Sequence, residues 1–247
     1  MFKSLLEICG QYFILMRKVF SRPDRMPVFW KQLLVETEKL GMSSIAIVAI
    51  ISIFIGAVIA LQSSFNLESP FIPKMYVGYM TRETMVLEFS STMVALILAG
   101  KIGSNIASEI GSMRITEQID AMEIMGVNSA NYLILPKIIA STVFNPFLML
   151  LSFIVGLFGG WLIVSLTGII TVSQYLDGLQ LDFKPHYITY SMAKMASFSF
   201  VITSVASFFG YHAYGGSLDV GRSSTRAIVA CCVIILIVNL LLTHLLL

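Results

Sequence analysis

Residues 42–62 read MSSIAIVAIISIFIGAVIALQ and hold no Asp, Glu, Lys or Arg. An α-helix needs about 20 such residues to cross the hydrocarbon of a bilayer. Outward from this stretch the pattern recurs. Thr84–Ser108 carries only two charges, Glu88 and Lys101, and residues 138–176 form 39 positions without a charge. His186–Gly216 carries one charge, Lys194, and Ala227–Leu247 carries none. The whole chain agrees: 57% of its 247 residues are hydrophobic, 12% are charged, and mean hydropathy is +0.86. A soluble domain has about twice that share of charge, so a soluble globule and a disordered chain are both excluded. A net charge of +2 implies no nucleic-acid partner. Cys9, Cys231 and Cys232 offer no disulfide framework.

The stretch 138–176 falls just short of two spans, which need roughly 40 residues before any turn. No polar cluster divides it. It reads as one long or tilted span over residues 138–166, followed by an interfacial loop. Gly156, Gly159, Gly160 and Gly168 would bend it or admit a neighbouring helix. The expected fold is an all-α polytopic membrane protein with five transmembrane helices, a six-span version being the alternative.

Basic residues orient the five-span version, because cytoplasmic loops carry the excess of Lys and Arg. Seven lie in residues 1–41, three in 101–137 and two in 212–226, against Lys74, Arg82 and Lys184 on the other side. This places the N-terminus in the cytoplasm and the C-terminus outside, which the family resemblance given below would make the periplasm. A sixth span would carry Arg222 and Arg226 outside. The chain divides into interfacial helices over 1–41 and a membrane domain over 42–247. The first 41 residues lack a short apolar core with a small-residue cleavage site, so they do not read as a signal peptide. Lys3, Glu7, Gln11 and Lys18 fall near one helix face and apolar residues cover the rest, which suits a helix in the headgroup layer. Ser21-Arg22-Pro23-Asp24 breaks that helix, and Pro27 opens a second.

Between spans two and three, Gly103–Gly126 reads GSNIASEIGSMRITEQIDAMEIMG. Glu109, Arg114, Glu117, Asp120 and Glu123 crowd into it. Thr116 is placed to cap a short amphipathic helix with Glu117 in its first turn. Ile115, Ile119, Met122 and Met125 would form its apolar face. By itself this is a cytoplasmic connector. Two charges lie inside spans, Glu88 in span two and Lys194 in span four, and an intramembrane charge normally faces protein or water. Lys194 either snorkels or joins Glu88 in a polar patch. Ala57, Leu61 and Phe65 share one face of span one at i, i+4 and i+8. Glu88 on the opposing span would close an outward-facing pocket for acyl chains, helix packing being the plain alternative. Lys101, at the inner end of span two, is expected among lipid headgroups. No metal-ligand spacing and no nucleophile elbow occurs, so catalytic and metal residues are none. The chain also lacks a Gly-rich Lys-Ser/Thr phosphate loop and cannot itself hydrolyse ATP. An intramembrane enzyme using Glu88 with Lys194, or a non-transporting scaffold, are the rival classes.

Asp120-Ala121-Met122, Gly126 and Leu135-Pro136 resemble the EAA loop of ABC importer permeases. More specifically, SEIGSMRITEQIDAMEIMGVN over Ser108–Asn128 is similar to the signature of MlaE/YrbE-type permeases, the membrane subunits of Mce-associated ABC lipid transporters. GAVIALQ at Gly56–Gln62, LEFSSTMVALILAGKIGSNIASEIG at Leu87–Gly111 and GGSLDVGRSSTRAIV at Gly215–Val229 resemble other parts of that family, in order and in register. Leu87 departs from it, standing where the family often has Arg, and Ser91 stands near a position often held by Pro.

The resemblance implies a permease in a bacterial inner membrane that moves phospholipid between that membrane and a periplasmic Mce-domain protein, supporting outer-membrane lipid asymmetry. It implies a homodimer with the lipid path near its two-fold axis. A cytoplasmic ABC ATPase would dock on a coupling segment over 109–128, and ATP and magnesium would belong to that partner, with no cofactor in this chain. The implied coupling residues are Arg114, Thr116, Glu117, Asp120, Glu123 and Gly126. Arg114 and Glu117 would orient the loop, and Asp120 and Glu123 would face the partner. Glu88 matches a family glutamate near the lipid pocket, so the lipid-binding set is Ala57, Leu61, Phe65, Leu87, Glu88 and Lys194.

Overall fold

The structure, a computed structural model, describes residues 2–21, 26–67 and 71–246. Its helices are α1 (Phe2–Val19), α2 (Met26–Glu36), α3 (Ile45–Asn66), α4 (Tyr76–Thr84), α5 (Val94–Leu98) and α6 (Ser104–Ile115). They continue as α7 (Gln118–Ile124), α8 (Ser129–Thr167), α9 (Val172–Gln180), α10 (His186–Tyr211) and α11 (Ser217–Leu246). No strand occurs among the described residues. Among the described residues, five helical runs are long and apolar enough to cross a membrane: Met26–Asn66, Tyr76–Ile115, α8, α10 and α11. The chain is an all-α, multi-pass membrane protein.

The first two runs are longer than their uncharged stretches, at 41 and 40 residues. Wide π turns join their parts, at Thr37–Gly41 in span one and at Met85–Met93 and Ala99–Gly103 in span two. The boundary read between residues 41 and 42 therefore falls inside continuous helix, and α2 leads directly into span one. Glu36 and Lys39 need not leave the helix for water, because both pair with other helices. The break read at Arg22–Asp24 lies outside the described residues. Lys101 donates to the Ser43 carbonyl, so its ammonium holds span two against the start of span one.

Span three is one helix of 39 residues, with Pro136 and Pro146 inside it. Its glycines serve close approach. A Cβ on Gly56 of α3 would lie 1.8 Å from the Gly156 carbonyl oxygen, and one on Gly159 would lie 2.1 Å from that of Ile53. The backbones of α3 and α8 thus touch, and Ser52 Oγ donates to Ser152 Oγ at 2.8 Å beside the crossing. Gly168, at φ 64°, ends the helix. Where a loop was read beyond it, α9 forms. Thr171 and Gln174 make a reciprocal cap, Tyr175 is buried, and Gly78 and Gly178 bring α4 and α9 into backbone contact.

At the α7 end, Leu15, Met16 and Val19 at the end of α1 are buried while Ile8, Phe13, Ile14 and Phe20 stay exposed. The last carbonyls of α1 lack intrahelical donors. Asn131 Nδ2 supplies Val19 and Ser21 at 2.7 Å each, and Asn128 Nδ2 supplies Lys18 at 3.1 Å. Asn128 also caps α8, its side chain accepting from Asn131 N–H. At the opposite end Arg82 is buried against expectation for a loop charge. Its guanidinium donates to Glu83 and to the Leu179 and Asp182 carbonyls, tying α4 to the turn before α10.

Candidate functional site

The segment between spans two and three folds as two helices meeting at a sharp corner. α6 ends at Ile115, and Glu117 adopts the left-handed φ of 58°, after which α7 runs for only seven residues. Within the 109–128 coupling segment, the helix read over 114–126 is confined to Gln118–Ile124. Thr116 does not cap α7. Its hydroxyl donates back to the Ser112 carbonyl at 2.8 Å, because the corner at Glu117 points it toward α6. Gly126, at φ 78°, stops α7 in a conformation that costs glycine little, and Val127 N–H closes the turn on the Met122 carbonyl.

The corner also turns the acids. Asp120 meets Arg114 at 2.5 Å, and the Arg114 guanidinium lies over the Tyr211 ring. Glu123 Oε1 accepts from Tyr211 Oη at 2.8 Å and from Ser129 Oγ at 3.0 Å. Arg114, Asp120 and Glu123 are thus brought together as a brace that holds α7 on α8 and α10, while Glu117 stands exposed. Ile119 is fully buried beneath. At the tip where α7 ends, two large apolar side chains stand out: Ile124 is 87% exposed and Met125 70%. Sequence reasoning placed Met125 on the packed face. The signal for an exposed pair was present in Ile124-Met125-Gly126, two large apolar residues immediately before a helix stop.

The hydrogen bonds from Tyr211 and Ser129 hold the Glu123 carboxyl below the ordinary carboxylate range. Its pKa is lower folded than unfolded, so the brace is fully stabilising above the unfolded carboxylate value and is lost as pH falls through the folded one. Backbone hydrogen exchange over 118–125 should therefore accelerate, after correction for intrinsic rates, as pH falls from about 5 to about 2, and not between neutrality and about pH 5. Tyr211→Phe should raise exchange at pH 7 and flatten the pH dependence; an unchanged profile would remove Glu123 from the brace.

At the opposite end the in-span charges meet. Lys194 is 0% exposed and its Nζ lies 2.7 Å from Glu88 Oε2, so it does not snorkel. Its other contacts are the Leu87 carbonyl and Thr243 Oγ1, at 3.3 and 3.2 Å. An ammonium with three donors engaged is a poor general base, which weakens the enzyme reading. Glu88 Oε1 accepts from Asn239 Nδ2 at 2.5 Å and Thr92 Oγ1 at 2.9 Å, and Tyr190 Oη donates to Thr243. Asn239, Thr92 and Thr243 were missed by sequence reasoning. Asn239 is the legible one, a lone amide in an otherwise apolar span. Glu88 sits on the nine-residue π turn of Met85–Met93, a geometry common at functional positions.

Beside this cluster a cleft of about 260 Å³ opens between the end of α3 and the start of span two. Ile59, Ser63, Asn66, Met80, Thr84 and Phe89 are among its lining. Ala57 and Leu61 are half-buried on α3 and Phe65 is 64% exposed, all three outside that lining. Leu87 and Glu88 lie next to its Phe89 wall.

The family profile described as Permease MlaE matches residues 33–245. Similar proteins include a probable ABC transporter permease protein of Rickettsia bellii, 31% identical over 241 residues, covering 98% of this chain and 93% of the relative. The intermembrane phospholipid transport system permease protein MlaE of Haemophilus influenzae is 28% identical over 239 residues, with 94% and 88% covered. The chloroplastic protein TRIGALACTOSYLDIACYLGLYCEROL 1 of Arabidopsis thaliana is 27% identical over 230 residues, with 93% and 65% covered.

Proposed function

Because the chain belongs to the MlaE permease family, we propose that it is the membrane subunit of an ABC transporter that moves phospholipid between a bacterial inner membrane and a periplasmic Mce-domain protein, and so supports outer-membrane lipid asymmetry. The exposed Ile124-Met125 tip of the braced α7 carries the reading. Large apolar side chains held out by a rigid corner suit a cleft on a second protein better than water. That protein is a cytoplasmic ABC ATPase, which supplies ATP and magnesium. The N-terminus and α7 lie in the cytoplasm, where the basic residues gather, and the C-terminus lies in the periplasm.

The outer cleft and the Glu88–Lys194 cluster beside it form the lipid site. Apolar walls with a few polar groups at one edge suit acyl chains below a headgroup. A cleft of about 260 Å³ is small for a two-chain lipid, which supports a homodimer in which a second copy completes the path.

The test is reconstitution with the ATPase in phospholipid vesicles. ATP hydrolysis should require this chain and rise with lipid acceptor present; hydrolysis indifferent to both would overturn the reading. Ile124→Glu with Met125→Glu should weaken ATPase retention in pull-down by about tenfold, the effect of removing one well-buried apolar anchor. Retention equal to the native chain would place the ATPase contact elsewhere.

A further inference from the structure

Four charged side chains meet at the α7 end, where span one, α6 and α8 converge. Lys137 Nζ, on α8, lies 2.6 Å from Glu36 Oε1 at the end of α2 and 3.1 Å from Glu109 Oε2 on α6. Lys39 Nζ, on the π turn that follows α2, lies 2.8 Å from the same Glu109 oxygen. α6 leads into α7 and α8 leads out of it. The cluster therefore fastens both arms of that corner to each other and to the head of span one. Elsewhere α6 packs mainly on α10 and α11, and α8 mainly on α3 and α10, so α3 belongs to the α8 arm and α11 to the α6 arm while both rest on α10.

The four members are not equivalent. Lys137 and Glu36 are 2% and 3% exposed, whereas Glu109 and Lys39 are 29% and 42% exposed. Separating a fully buried pair strands two charges without water, while a half-exposed pair can be rehydrated as it parts. Any movement that opens the cluster must therefore open it at Glu109. One further atom is out of place: Glu36 Oε2 is buried with no hydrogen-bond partner. A buried carboxylate oxygen left unpaired is costly, and Lys39 is three positions along the same helical run, within reach of it.

We propose that Lys137 and Glu36 are a fixed joint and that Glu109 and Lys39 are its releasable clasp, positioning residues that pass motion of α7 to span one. As α6 moves, Glu109 lets go of both lysines, and Lys39 turns to the free oxygen of Glu36. The cluster thus has two arrangements, one clasped with two lysines on two carboxylates and one open with both lysines on Glu36 and Glu109 turned to water, and span one shifts between them. This inference rests on α7 being the ATPase contact.

A reducible linker tests it in the complex purified with its ATPase. Cys9, Cys231 and Cys232 are replaced by serine, Lys39→Cys and Glu109→Cys are introduced, and a bis-methanethiosulfonate bridge holds the clasp shut. The bridged complex should keep its ATPase subunit yet transfer phospholipid about tenfold more slowly than the same sample after reduction, a coupling of ordinary allosteric size. Equal transfer before and after reduction, with the ATPase retained, overturns the clasp alone. Loss of the ATPase from the reduced sample overturns the coupling role of α7 instead. Separately, Glu109→Gln should leave ATP hydrolysis running while lipid moved per ATP falls. A parallel fall in both would make Glu109 merely structural and overturn the proposal.

Discussion

Gly56→Leu is expected to abolish the folded protein. The first atom of the new side chain would sit 1.8 Å from the Gly156 carbonyl oxygen, 2.5 Å from its carbon and 2.8 Å from its Cα. All three are backbone atoms, so no rotamer change can make room. Overpacking that side chains can absorb costs about 1–3 kcal/mol; here α3 and α8 must separate along their length. The Ser52–Ser152 hydrogen bond beside the crossing would go with it. Little lipid-phase hydrophobic force opposes such separation, since helices in a bilayer are held by close packing. Yield of monodisperse protein in mild detergent is the measurement. Gly159→Leu should behave alike, because its Cβ meets the Ile53 carbonyl at 2.1 Å. Val58→Leu, on the same helix but 57% exposed, should change nothing. A Gly56→Leu protein that melts like the native one would mean that the two helices do not cross at these glycines.

The second large effect is an asymmetry across one ion pair. Lys194 is 0% exposed and Glu88 is 40% exposed. Glu88→Leu leaves a buried ammonium with only neutral partners and should cost about 3–5 kcal/mol, the usual penalty for stranding a buried charge. Lys194→Met should cost less, because Glu88 keeps its hydrogen bonds from Asn239 and Thr92 and is only partly enclosed by protein. Combining the two should recover most of the loss of Glu88→Leu, since an apolar pair of similar volume replaces a buried ionic one at little cost. Unfolding in detergent with added denaturant gives the order directly. If Lys194→Met proves the more damaging change, or the double variant is no better than Glu88→Leu, then the pair does not hold this part of the bundle.

The spans were legible because the bilayer imposes one rule on every residue in them. Runs without charge, such as 42–62 and 138–176, can do little else than cross it. Charged residues were misread as ends of helices. Glu36 and Lys39 suggested a boundary, yet the helix continues through them because Lys137 and Glu109 answer their charge from about 70 to 100 positions away in the chain. Periodicity carries no record of such partners. The same holds for the site. Glu88 and Lys194 stood out as charges in apolar surroundings, but their contact joins residues 106 apart. In the coupling segment, a single left-handed residue at Glu117 re-aims the helix that follows. Helical spacing put Met125 on the packed face, yet beyond the corner it is exposed, while Asp120 and Glu123 stay at the surface and bond to Arg114, Tyr211 and Ser129.

α8 also has a mechanical meaning. At about 1.5 Å per residue its 39 residues make a rod of roughly 58 Å, against about 30 Å of hydrocarbon. A tilt within the usual range, up to about 40°, cannot hide that excess, so the rod projects beyond the hydrocarbon. Pro136 and Pro146 lie within it without ending it. The glycine crossing at Gly156 is its tightest grip on another helix, and it acts as a fulcrum. From there to Lys137 the arm is roughly 28 Å long at the same rise. Rocking about that fulcrum by about 5° sweeps the Lys137 end through roughly 2 Å. With Glu36 moving alongside Lys137, that travel carries the Lys137–Glu109 pair from contact to beyond the about 4 Å at which its attraction is counted. One stiff helix can thereby convert a small rotation deep in the membrane into the making or breaking of a charge contact at its edge.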